Sequence, residues 1–286
     1  MRKITAVEEM RAAAGETRKR GRTIGFVPTM GYLHGGHLSL VRESRKRAHT
    51  TVVSIFVNPL QFGPQEDFRR YPRDPGRDET LLEKAGVDFL FCPGDLDMYP
   101  EGFRTTVEVA GLQDRLCGRS RPGHFKGVAT VVLKLFNIVR PDYAFFGQKD
   151  AQQAIILSRM AEDLNLDTKI EVLPTIREGD GLAISSRNIY LSPEERRSAP
   201  VLFRSLEEAR RMFTEGERAA GPIREQMLRM IGNEALARVD YVEIVDIQTL
   251  EAVDRIEGDV LVAMAVIIGS TRLIDNIILE GKREQP

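Results

Sequence analysis

The chain has 286 residues, 41 basic against 42 acidic side chains, 7% aromatic residues and no tryptophan. Charge so evenly balanced leaves no net field to draw in nucleic acid or an anionic membrane, and the shortage of aromatics speaks against a base-stacking surface. The strongest apolar run, Val260–Ile268, is too short to cross a bilayer, no leader pattern precedes the first strand, and Cys92 and Cys117 lack any paired-thiol or metal-ligand spacing. A soluble cytoplasmic protein with reduced thiols is therefore expected.

In chain order, residues 5–20 read as a helix with Thr5 as its N-cap, and 24–27 as a buried parallel strand. Pro28, Gly31, Gly35 and Gly36 mark a turn, and from Leu38 the apolar spacing becomes helical to about Ala48. A second buried strand is expected over 51–57, a helix over 78–85 and a strand at Phe89–Phe91. Between residues 127 and 139, Val128, Val131, Val132, Leu135, Ile138 and Val139 fall at helical spacing, and Pro141 ends the run. Strand 143–146, helix 151–164 and strand 168–173 complete the series. Strands alternating with helices predict an α/β fold, a Rossmann-like doubly wound parallel sheet, over residues 1–175. Ligands of such sheets sit beyond the carboxyl ends of the strands, which places His34, Asn58 and Gly147 on one rim.

Over residues 176–286 the order changes. Ser192-Pro193-Glu194-Glu195 has capping-box spacing with proline at the first helical position, predicting a helix to about Thr214. A helix over 222–238 and strands over 241–246, 260–267 and 276–279 follow. This succession predicts a second, smaller α+β domain, expected to close over the site. The proline- and charge-rich stretch 64–78 reads as a mobile loop with solvated charges.

The residues that carry chemistry cluster at the strand ends. His34-Gly35-Gly36-His37 lies where a strand hands over to a helix, whose first turn offers free N–H groups and positive partial charge to a phosphate. A zinc pair of the protease type requires histidines four apart with a glutamate between them, whereas these are three apart with glycines between. Gly147-Gln148-Lys149-Asp150 places a lysine at a helix start, as a point charge for phosphate or as ordinary surface chemistry. Ser185, Ser186 and Arg187, behind a glycine-bearing loop, suit phosphate oxygens or a plain polar linker. Gln61 and Gln153 both donate and accept hydrogen bonds, which suits a hydroxylated substrate. Arg115, Arg119 and Arg121, with His124 and Lys126, form a second basic loop able to close over an anion.

The segment 28–37 resembles the HxGH signature of the nucleotidyltransferase superfamily, in the form used by the pantoate–β-alanine ligase family. The resemblance extends through Asn58-Pro-Leu-Gln-Phe-Gly63, Arg121-Pro-Gly-His-Phe-Lys-Gly127, Phe146-Gly-Gln-Lys-Asp150 with Gln153, and Ile184-Ser-Ser-Arg-Asn188. It implies ATP-dependent condensation of (R)-pantoate with β-alanine through a pantoyl adenylate, releasing AMP and pyrophosphate. By that resemblance Met30, Gly31, Tyr32, Leu33, His34, Gly35, Gly36 and His37 meet ATP, with His37, His34 and Lys149 catalytic. Gly147, Gln148, Lys149, Asp150, Ile176, Ile184, Ser185, Ser186 and Arg187 complete the ATP set, and Gln61 and Gln153 bind pantoate, Gln61 also facing β-alanine. Mg²⁺ is implied with the ATP, Asp78 being the one candidate protein ligand, and a homodimer is implied. Gly35, Gln148 and Arg77 depart from the family pattern, each replacing an acidic or polar residue beside the phosphates or a carboxylate in the acidic cluster. The alternatives are another HxGH nucleotidyltransferase, which pantoate-type glutamines in place of phosphate-binding cations argue against, and a non-catalytic ATP-binding module, which predicts a broken motif.

Overall fold

The computed structural model describes residues 1–64 and 66–281. The chain divides into two compact units: Met1–Gln113 with Arg121–Gln148 and Gln153–Pro174, and Asp114–Ser120 with Lys149–Gln152 and the chain from Thr175 onward.

The first unit is built on strands β1 (Arg2–Ile4), β2 (Ile24–Thr29), β3 (Thr50–Ile55), β4 (Phe89–Phe91), β5 (Tyr143–Gly147) and β6 (Lys169–Leu173), in the order β1-β4-β3-β2-β5-β6. Every pairing is parallel, so all six carboxyl ends share one rim, as the alternation of elements predicts. The longer helices are α1 (Val7–Lys19), α2 (Gly35–Arg47), α3 (Pro75–Lys84), α4 (His124–Val139) and α5 (Ala151–Asp163), the last with its body from Gln153 onward in this unit. Consecutive residues of β2 serve opposite faces. Phe26 meets Phe136 of α4 edge-on at 6.4 Å, whereas Val27 packs with Leu40 and Val41 of α2, Val53, Leu82 of α3, Leu90 and Phe145.

The order reverses between β2 and β5, the switch point at which such sheets open a crevice. The β2–β5 ladder consists of Gly25–Tyr143 and Phe26–Ala144, while the β2–β3 ladder runs on to Thr29–Ile55. Pro28 therefore belongs to β2 and not to the turn expected of it, and its missing N–H coincides with the end of the β2–β5 ladder. The turn is confined to residues 30–34, because Gly35 and Gly36 already form the first turn of α2. Thr5 is not a cap: β1 precedes it, and α1 starts after Ala6 without a side-chain cap.

The second unit has an antiparallel sheet of β7 (Ala237–Asp246), β8 (Val260–Ile268) and β9 (Thr271–Leu279), with helices α6 (Pro193–Ser198), α7 (Val201–Thr214) and α8 (Ala220–Gly232). One face each of α7 and α8 joins one face of the sheet in a single core that includes Leu202, Leu206, Ile223, Met227, Val262 and Met264. The helix expected from Ser192 to Thr214 is two helices, since Pro200 removes a backbone donor and restarts the chain as α7. The helix expected over 222–238 ends at Gly232, and Arg238 stands in β7, paired with Ile267. Among the described residues no helix is long and apolar enough to cross a membrane.

Candidate functional site

The chain leaves β2 through a turn held under strain. Gly31 has φ +82° and Tyr32 φ +49°, a left-handed value that a side chain with a Cβ rarely adopts. What holds Tyr32 there is Asp78, in the first turn of α3. Its Oδ2 accepts the Tyr32 N–H at 2.7 Å, and its Oδ1 accepts the Leu33 N–H at 2.8 Å. Leu33 is buried in the core below, and the Arg77 guanidinium lies 5.3 Å from the Tyr32 ring. Asp78 is 1% exposed, so the expectation that the 64–78 charges are solvated fails at its last member. Burial raises the Asp78 carboxyl above its ordinary value, against the two amides and Arg77, which lower it.

That turn delivers His34 as the N-cap of α2. Its Nδ1 accepts the Gly36 N–H at 3.2 Å, while Nδ1 of His37 accepts the His34 N–H at 3.3 Å. Each bond occupies Nδ1 as an acceptor, so a neutral ring carries its proton on Nε2. The rings lie 4.0 Å apart and 32° from parallel. Gly36 is required by close approach, since a Cβ there would stand 2.9 Å from Cε1 of His34. The result is two imidazoles fixed at the positive end of a helix dipole, an arrangement suited to an anion.

Beyond β3 the chain makes a single 3₁₀ turn, Pro59–Gln61, organised by Asn58. Asn58 is 1% exposed; its Nδ2 donates to Gln61 Oε1 (3.1 Å) and to the Gly127 carbonyl (3.0 Å). Its Oδ1 accepts from the Tyr99 hydroxyl (2.7 Å) and the Leu60 N–H (3.3 Å). The Gln61 side chain thus has its oxygen held by Asn58 while Nε2 points to Met30 Sδ at 3.1 Å, which brings Gln61 to the β2 turn. A second clamp acts on the Gln61 carbonyl, which accepts from His124 Nδ1 (2.8 Å) and Arg121 (3.3 Å). Arg121 in turn grips Glu66 at 2.7 and 2.6 Å. The basic loop expected to close over an anion is therefore already paired: Arg121 with Glu66, Lys126 with Glu108, Arg115 with Glu251 and Arg119 with Glu243. Gly147 ends β5, and a Cβ at that position meets nothing within 4 Å. Gln153, on α5, is half-buried.

In the second unit, Lys149 lies 3.6 Å from Asp150, and the Asn276 amide donates to its carbonyl at 3.0 Å. Ile176 and Ile184 are brought together by the Ile184 N–H donating to the Ile176 carbonyl at 3.0 Å. Ser185 caps the 3₁₀ turn Ser186–Tyr190 by accepting the Arg187 N–H at 3.3 Å. Among the described residues no three His, Cys, Asp or Glu side chains gather as a metal site.

Sequence reasoning marked the histidines and Gln61 but missed what orients them. The sequence places Asn58 on the rim without its role toward Gln61, and nothing local marks Tyr99 or Asn276, whose partners are 41 and 127 positions away.

A doubly wound parallel sheet with a helix N-terminus at its switch point is an architecture of the α/β nucleotide-binding proteins. The chain belongs to the pantoate–β-alanine ligase family, whose model matches residues 2–278. It is 59% identical over 273 residues to the pantothenate synthetase of Pelotomaculum thermopropionicum, covering 96% of this chain and 97% of that one. It superposes on the pantothenate synthetase of Thermus thermophilus with a TM-score of 0.92 at 46% identity, over 97% of this chain and 99% of that one. The pantoate–β-alanine ligase of Francisella tularensis, solved in complex with β-γ ATP and β-alanine, matches with a TM-score of 0.79 at 31% identity, over 100% and 99% of the two chains.

Proposed function

We propose a course for the ligation of pantoate to β-alanine, the reaction that family membership assigns to this chain. ATP lies with its phosphates at the start of α2, against the Nε2–H groups of His34 and His37 and the backbone of residues 30–37. Gln61 and Gln153 hold (R)-pantoate through its hydroxyls. A pantoate carboxylate oxygen attacks the α-phosphorus in line, the bond to the bridging oxygen breaks, and pyrophosphate leaves. The β-alanine amine then attacks the acyl carbon of pantoyl adenylate and expels AMP, giving pantothenate. The first step asks for alignment and charge neutralisation, not for a protein nucleophile.

The observation that carries this reading is the pair of Nδ1–backbone bonds, which fixes both imidazoles at a helix N-terminus with Nε2 as the protonated nitrogen of the neutral ring. Lys149 adds a positive charge on the phosphates, Ile176 meets the adenine through its backbone, and Ile184, Ser185, Ser186 and Arg187 cover the triphosphate. Gly147, Gln148 and Asp150 line the same nucleotide. The donor set does not favour a protein-held Mg²⁺, because both Asp78 oxygens are engaged by backbone amides. Mg²⁺ arriving with ATP would be held by the phosphate oxygens and would supply charge neutralisation there. The working form is a cytoplasmic homodimer.

The test is the product spectrum with Mg·ATP and pantoate, with and without β-alanine. AMP and pantothenate appearing together only with all three substrates is the expected result. No nucleotide turnover under any condition would leave a binding module.

A further inference from the structure

Two segments read as phosphate-binding, around Lys149 and around Ser185–Arg187, belong to the second unit, and adjacent residues of β9 engage both. Asp275, 2% exposed, takes the Arg177 guanidinium on both oxygens at 2.6 and 3.0 Å. Arg177 also donates to the Gly181 carbonyl at 3.0 Å and lies 4.6 Å from the Phe203 ring. Through the Arg177–Ala183 bridge this fixes the hairpin that leads into Ser185–Arg187. The next residue, Asn276, is 4% exposed and donates Nδ2–H to the Lys149 carbonyl.

The far end of the lysine segment has its own anchor. Gln152 accepts the Cys117 N–H at 3.0 Å and donates to the Arg115 carbonyl at 2.7 Å. The segment is thus secured without Asn276, and the Asn276 bond falls on the residue that bears the charge. The Asn276 amide is buried in β9 and cannot give up its acceptor without the cost of an unsatisfied donor, so its bond ties the Lys149 carbonyl, 127 positions back, to the strand.

We propose that Asn276 is a positioning residue for adenylation: it sets the backbone from which Lys149 projects, on the strand that also fixes the Ser185–Arg187 segment. Holding the root of a long flexible side chain narrows the volume its ammonium samples, and misplacement by about 1 Å of a group that orients a transition state costs up to about 100-fold. The inference rests on the reading of Lys149 given above.

The experiment is a double-mutant cycle of Asn276→Ala and Lys149→Ala, read as the rate of pyrophosphate release from Mg·ATP and pantoate. Expected are a loss of about 10-fold for Asn276→Ala, about 100-fold for Lys149→Ala, and no further loss when the two are combined. The KM for β-alanine of Asn276→Ala stays at its wild-type value, while its melting temperature falls modestly from the lost buried hydrogen bond. Asn276→Leu, which keeps the branched shape and removes the donor, shows the same pattern of rates and stands in if the alanine variant folds poorly. Equal losses from Asn276→Ala in both backgrounds, or no loss in either, overturn the inference while leaving Lys149 in its role. Wild-type rates for Lys149→Ala overturn the reading of Lys149 and the inference with it.

Discussion

Gly36 separates a structural from a chemical demand within one residue. Alanine there favours the helix by about 0.5–1 kcal/mol, yet its Cβ would displace the His34 ring and its bond to the Gly36 N–H. Because the lost cap offsets that gain, Gly36→Ala is expected to melt within a few degrees of wild type while kcat falls about 10-fold or more, and His37→Ala to lose about 100-fold. A stability scan beside steady-state kinetics checks both, and an unchanged kcat for Gly36→Ala would show that the ring orientation is not used. Gln61 is held by Asn58 at its oxygen and keeps its amide toward the β2 turn. Gln61→Ala therefore raises the KM for pantoate more than that for ATP, and equal shifts would remove it from the pantoate site. These residues were legible in the chain because their signals are local: glycines beside histidines, and a glutamine after a strand end. Their orienters were not, since Tyr99 and Asp78 act across 41 to 46 positions and are ordinary polar residues in their own neighbourhoods.

At the scale of elements, the α4 helix meets the Pro59–Gln61 turn at Gly127. A Cβ on Gly127 would stand 2.3 Å from the Leu60 carbonyl oxygen and 2.7 Å from the Gln61 nitrogen, backbone atoms that cannot step aside. Gly127→Ala is expected to destabilise the protein by about 1–3 kcal/mol in denaturant titration and to raise the pantoate KM by shifting Gln61. The clamp from Glu66 through Arg121 carries a pH signature. Burial raises the Glu66 carboxyl, but its bonds to Arg121 outweigh this and hold it below its ordinary value of 4.5. A carboxylate depressed in the folded state contributes stability above its unfolded pKa and loses it as pH falls through the folded one. The melting difference between wild type and Glu66→Gln should therefore be present at neutral pH and shrink below about pH 4.5; a constant difference would assign the effect to packing. Periodicity located the long elements to within a few residues but misjudged their ends. Pro200 splits one helix, Gly232 ends another early, and β1 was too short to show a period.

For the whole molecule, the proposed homodimer predicts a light-scattering mass twice that of the chain, and a monomer mass at micromolar concentration would contradict it. The fold class and the family were readable without coordinates. Alternating strands and helices have few ways to bury their apolar faces, and the HxGH run, the glutamines and the lysine are contiguous patterns whose chemistry does not depend on distant residues. What only the tertiary structure decided is which groups are held and by what. It placed the β2–β5 opening at Pro28, turned Asp78 from a solvated loop charge into the support of a strained turn, and engaged the 121–126 cations in ion pairs. It also tied Lys149 to β9. Each of these is a contact between residues far apart in the chain, and a buried polar group is satisfied by whichever partner the packing brings near, which no local pattern records.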